Sequence, residues 1–213
     1  MNFLSHGRDV LHDPWLLTGT QLPDLLRAPG RRFQVPSDMP AETEDETLAP
    51  ARLAAGVRLH FHDDDWFHQS SDFIGVCSTL TKLFRSQTPV HTRFRASFFA
   101  HVFSEMLLDA WLMEAQPGFA DQYYASLRQV DAVMLSEIVS RWVSVSQTEV
   151  RSSWERFVSS EFLRAYTTDE GCAERANGLF RRIGLPEIPA EIIATFPEAR
   201  RSVYRCAPRL LRR

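Results

Sequence analysis

Residues 92–114, TRFRASFFAHVFSEMLLDAWLME, decide the fold class. Phe94, Phe98, Val102, Met106 and Leu107 recur at the spacing of one helical face, because side chains three or four apart lie on the same side of an α-helix. The stripe predicts a helix that buries this face in a core. Outward from it, apolar periodicity predicts further helices over residues 14–26, 51–69, 72–84, 119–146, 149–167, 172–183 and 189–204. Pro89, Pro117, Pro186 and Pro189 fall between these segments, where a missing amide and a fixed backbone angle stop a helix. Strict apolar/polar alternation is scarce and the chain has only 9 glycines. The expectation is an all-α, single-domain fold spanning residues 1–213, a compact antiparallel helical bundle with short connections.

One stretch breaks the pattern. Residues 36–50, PSDMPAETEDETLAP, are acidic, proline-rich and poor in large apolar groups, which predicts a mobile loop. The 213 residues suffice for one sizeable core, and 44% hydrophobic with 24% charged residues is too apolar for disorder. A net charge of −3 leaves no basic surplus to drive nucleic-acid binding. Three scattered cysteines, Cys77, Cys172 and Cys206, argue against a disulfide framework and a thiolate zinc site. No apolar run reaches membrane-spanning length and no secretory signal opens the chain, so the expected location is the cytoplasm.

Two clusters carry chemistry. In Gly56-Val-Arg-Leu-His60-Phe-His62-Asp-Asp64-Asp-Trp-Phe-His68, the residues His60, Asp64 and His68 form a ladder on one helix face, since positions four apart differ by only about 40° around the axis. In His101-Val-Phe-Ser-Glu105-Met-Leu-Leu-Asp109 a second ladder repeats the spacing among apolar neighbours. Imidazole nitrogens and carboxylate oxygens suit zinc, manganese or iron, and acids on so apolar a helix need a cationic partner. His6 and Asp24 are two further candidates near the N-terminus. The plainer alternative makes each ladder a solvated pair worth a few tenths of a kcal/mol, at about 0.2–0.5, with Asp24 or Asp109 paired to Arg27, Arg93 or Arg95. His12, His62 and His91 read as surface residues. Phosphate-binding glycine loops, a Gly-x-Ser-x-Gly elbow and Glu-x-x-His pairs are all missing from the sequence.

These residues also carry a resemblance. MNFLSH at the start, followed by Leu17-Thr18-Gly19-Thr20-Gln21-Leu22-Pro23-Asp24, resembles the opening of the acyl carrier protein phosphodiesterases, Met-Asn-Phe-Leu-Ala-His and then Ser-Gly-Asn-Leu-Leu-Ala-Asp without a gap. Gly56-x3-His60-x3-Asp64 is similar to that family's Gly-Ile-x-x-His-x3-Asp motif. Phe99-Ala100-His101-Val102-Phe103 is similar to its aromatic-Asp-His-Phe-Leu pattern, and Asn177-Gly178 with Arg181-Arg182 to its Asn-Gly stretch. The likeness covers most of the chain, with residues 36–50 as an insertion.

The resemblance implies an HD-like helical fold and a divalent ion, typically Mn²⁺ with Fe or Zn as alternatives. It also implies hydrolysis of the phosphodiester joining 4′-phosphopantetheine to acyl carrier protein, a reaction of lipid metabolism and fatty acid biosynthesis. The resemblance makes His6, Asp24, His60, Asp64 and His101 the site residues; with the ladder reading added, His60, Asp64 and His101 hold the ion, with Asp24 or Glu105 completing the set. Asp24 and Glu105 double as candidate general bases, and His6 orients a ligand or protonates the leaving group. Acyl carrier protein is then the partner, docking on basic groups such as Arg27, Arg31, Arg32, Lys82, Arg85 and the arginines from Arg200 to Arg213. Two departures stand against the pattern: Ala100 replaces an aspartate and His68 replaces an acid. The competing expectations are an HD-type hydrolase of another phosphoester and a helical binding protein that has lost its site.

Overall fold

The computed structural model describes residues 1–26, 45, 48–88 and 93–212. Most of the loop expected at 36–50 lies outside them, as do Arg27, Arg31, Arg32, His91 and Arg213. The protein is all-α: eleven α-helices and one 3-10 helix, with no strand among the described residues. Length leads to the expectation of one domain; packing divides the described residues into two compact units, with the boundary inside one helix between Asp65 and Trp66.

The first unit holds α1 (Phe3–Gly7), α2 (Pro14–Leu25), most of α3 (Ala49–Gln69), α6 (Phe119–Leu127), α7 (Ala132–Trp142) and α8 (Gln147–Ser160). Its core comes from Leu4, Leu17, Leu22, Leu53, Val57, Tyr123, Leu135, Val150 and Trp154, all buried. α2 starts sharply because the Asp13 side chain accepts from the Leu16 amide and Pro14 supplies the first turn. Asp13 also takes the Arg52 guanidinium of α3, whose Nε lies 2.7 Å away.

A glycine pair sets how α2 meets α3. A Cβ on Gly19 would lie 2.2 Å from the Leu53 carbonyl oxygen, and one on Gly56 would lie 2.1 Å from the Leu16 carbonyl oxygen. The two helices cross backbone to backbone, which only the residue without a side chain permits. Both glycines belong to the stretches that carry the family resemblance.

The second unit holds the end of α3, α4 (Ser71–Gln87), α5 (Ala96–Ala115), α9 (Asp169–Arg182), α10 (Ala190–Ile193) and α11 (Phe196–Leu210). α5 packs against α4, α9 and α11. It therefore buries more than one stripe: Phe99, Phe103, Met106, Leu107 and Ala110 are interior, whereas Phe98 and Val102 are half-buried. Ring centroids of Phe84 and Phe99 lie 4.9 Å apart, and those of Phe103 and Phe196 lie 4.2 Å apart, joining α4, α5 and α11 in one aromatic cluster.

Three expected helices differ in extent. The span 119–146 is two helices, because Asp131 accepts from the amides of Val133 and Met134 and starts α7 afresh. The span 149–167 ends at Glu161, in the left-handed conformation with φ 43°, and continues as the 3-10 helix Phe162–Thr167. The span 189–204 is divided after Ile193, and Pro197 in the first turn opens α11. Asn177 serves the fold, since its side-chain oxygen accepts from the Ile188 amide at 2.8 Å.

Candidate metal centre

The crossing of α2 and α3 sets up the first ligand group. It brings the Thr20 carbonyl within 2.9 Å of His60 Nδ1. That contact gives Nδ1 the proton and leaves Nε2 as the free lone pair, the usual way a backbone carbonyl selects the ligating nitrogen. His60 Nε2 lies 3.6 Å from Asp64 Oδ2, one turn further along α3. His6, from α1, lays its ring over that of His60 with centroids 3.9 Å apart, and its Nε2 lies 3.2 Å from Asp64 Oδ1. The amino group of Met1 also lies 2.5 Å from that oxygen. One ligand atom from each of His6, His60 and Asp64 falls within 4.8 Å of the others.

Burial shapes the electrostatics. The His6 side chain is 0% exposed, and burial pushes its pKa down to about 3, so the imidazole is neutral at physiological pH. Burial also lowers the pKa of His60, against the opposing pull of Asp64. For Asp64 burial works the other way, but the adjacent His6 ring and the Met1 amine outweigh it and hold the carboxyl below the usual carboxylate range. The approach of His6 to Asp64 is close in distance yet lacks hydrogen-bond geometry. Among the described residues neither ring nitrogen of His6 has a hydrogen-bond partner. An interior polar atom left so costs about 1–3 kcal/mol, and a cation on Nε2 would offset that cost for one of the two nitrogens.

The donor set fits a divalent ion. Two ligands each about 2.1 Å from an ion stand about 3.0 Å apart at a right angle and about 3.4 Å apart in a tetrahedron. The 3.2 Å from His6 Nε2 to Asp64 Oδ1 falls in this range, and the 3.6 Å from His60 Nε2 to the other oxygen, Oδ2, lies just beyond it. Two neutral imidazoles and a carboxylate suit zinc, manganese or iron alike.

Of the set expected from the sequence, His60 and Asp64 fall in one ligand group, with His6. His101 and Glu105 belong to a different group with His68, in the second unit. The reason is helical geometry: Glu105 is one turn beyond His101 on α5, and both face the last turn of α3. Asp24 is half-buried in the last turn of α2 and belongs to neither group. His68 was visible only as the end of the first ladder; its partner 37 residues on carries no local signal. Ala100 is fully buried, so an aspartate there would point into the core. His62 is exposed, as is His12.

Two further features bear on chemistry. α4 and α11 line a groove of about 610 Å³ with Lys82, Arg201 and Arg205 as its cations and Glu198 as its acid. The neighbouring arginines are committed elsewhere: Arg200 to Asp169 at 2.9 Å and Arg209 to Asp72 at 3.3 Å. No described helix is long and apolar enough to cross a membrane. In comparisons with known proteins, no family, no curated protein and no solved structure matches this chain.

Proposed function

We propose that this chain is a metal-dependent phosphodiester hydrolase, an enzyme that releases 4′-phosphopantetheine from holo-acyl carrier protein or a diverged relative of such enzymes. One observation carries the reading. His6 comes from MNFLSH, and His60 and Asp64 come from Gly-x3-His-x3-Asp; the two stretches with the most specific resemblance supply one ligand group. Gly56 of the second stretch crosses Gly19 of α2, which places the Thr20 carbonyl beside His60.

His6, His60 and Asp64 would hold a divalent ion, which would supply positive charge to a phosphoryl oxygen and acidify a water molecule. The chain's own groups do the rest. His6 and His60 stay uncharged and keep nitrogen lone pairs available, because burial disfavours their protonated forms. The Thr20 carbonyl fixes the His60 tautomer. Asp64, at 27% exposed, contributes the negative charge and the open side of the group. Lys82, Arg201 and Arg205 favour an anionic partner in their groove.

Ala100 favours a second reading, a helical binding protein without turnover, because the family's pattern has an aspartate where this chain has a buried methyl group. The test is purified protein with added Mn²⁺ and holo-acyl carrier protein, with the carrier's mass followed by spectrometry and a panel of simple phosphodiesters run beside it. Loss of the phosphopantetheine mass, abolished in His60→Ala, is the expected result. Hydrolysis of simple diesters without release from the carrier would redirect the assignment to another phosphoester. No turnover of any diester by metal-loaded protein would overturn the enzymatic reading.

A further inference from the structure

We propose that His68, His101 and Glu105 form a second cation site, which takes a transition-metal dication of the zinc class and shares no ligand with His6, His60 and Asp64. The proposal does not rest on phosphodiester hydrolysis.

Convergence is the first observation. Nε2 of His68 lies 3.0 Å from Glu105 Oε1, and Nε2 of His101 lies 3.3 Å from the same oxygen. Both spacings match the edge between two ligands of one ion, about 3.0–3.4 Å for metal–ligand distances near 2.1 Å. One ligand atom from each residue lies within 4.8 Å of the others. Two imidazoles and one carboxylate are the protein share of an open zinc site, in which a remaining position is left to water or substrate.

The surroundings hold the rings in place. Phe73 packs against both, with centroids 5.4 Å from His68 and 5.1 Å from His101. Phe67 backs Phe73 at 4.3 Å. Ser70 caps α4 by accepting from the Phe73 amide, which fixes where that wall stands. The imidazoles are accessible, at 33% and 44% exposed, while Glu105 is 15% exposed. An ion can therefore reach the nitrogens from solvent and meet a carboxylate that water screens only weakly.

The competing state is a pair of imidazole–carboxylate hydrogen bonds with no ion. The two states differ in where protons sit. Hydrogen bonding requires a proton on each Nε2, whereas coordination requires both Nε2 atoms bare.

The experiment uses the full chain stripped of metal, titrated with Zn²⁺ by calorimetry and counted by elemental analysis. His101→Ala, His68→Gln and His60→Ala are run in parallel, with circular dichroism as the folding control. The parent is expected to bind one more equivalent than His101→Ala, and His68→Gln should weaken the same site at least about tenfold. His60→Ala should leave that equivalent in place. Nitrogen NMR of the parent gives a readout that needs no variant: Zn²⁺ should move the Nε2 signals of His68 and His101. Equal zinc stoichiometry and affinity in parent and His101→Ala, or Nε2 signals that ignore zinc, would overturn the proposal. If the first group fails instead, zinc binding is lost from the parent's other equivalent while the His101-dependent one remains.

Discussion

The two ligand groups use nearly the same donors with the burial reversed. In the first, the imidazoles are interior, with His6 at 0% and His60 at 2% exposed, and the carboxylate of Asp64 is the open member at 27%. In the second, His68 and His101 are open at 33% and 44%, and Glu105 is the enclosed member at 15%. Desolvation acts on the charged form, so the first group holds neutral nitrogens in reserve, while the second holds a carboxylate under solvent-facing rings.

Removing a ligand from the enclosed group gives the largest effect. His60→Ala deletes a nitrogen donor and its contact to the Thr20 carbonyl. Metal affinity of the first group should fall by at least about 100-fold, since even second-shell losses cost 10–100-fold, and any hydrolysis should fall with it. Calorimetry with Mn²⁺ checks this, and zinc binding that depends on His101 should persist. Next comes Gly56→Ala, whose new Cβ meets the Leu16 carbonyl oxygen. Overpacking of this kind costs about 1–3 kcal/mol, read as an earlier urea midpoint. It should weaken the first group and spare the second.

Acid sharpens the comparison further. His6 has a folded pKa pushed down to about 3 from 6.5, so the unfolded state binds the extra proton below the latter value. Stability should be level above pH 6.5 and fall as pH is lowered toward 3, by about 1.4 kcal/mol per unit for one such proton. His60 shifts in the same direction and adds to the slope. His6→Asn should flatten the decline in urea midpoints between about pH 7 and about pH 5; an unchanged slope would remove His6 as its source. The smallest effect belongs to His62, which is exposed on the same helix. His62→Ala should stay within about 0.5 kcal/mol of the parent and bind the same number of ions.

Much of this was legible before any coordinates. The helical class, the α3 and α5 segments and both four-residue ladders follow from periodicity alone. The break at Asp131 was not legible, because an aspartate inside an apolar-periodic run reads as a surface residue until its oxygen is seen capping two amides. The stripe at residues 94–107 is interior at Phe94, Met106 and Leu107 and only half-buried at Phe98 and Val102, because α5, packed against three other helices, buries more than one face.

For the candidate sites the division is sharper. Local sequence determines that Asp64 follows His60, and Glu105 follows His101, by one turn, since the helical period is a property of the backbone. Tertiary structure alone decides that His6 completes the first pair and His68 the second. Periodicity says which residues share a face but nothing about which faces meet. Here that choice is made by contacts such as Gly19 against Gly56, between residues far apart in the chain, where the absence of two side chains lets two backbones touch.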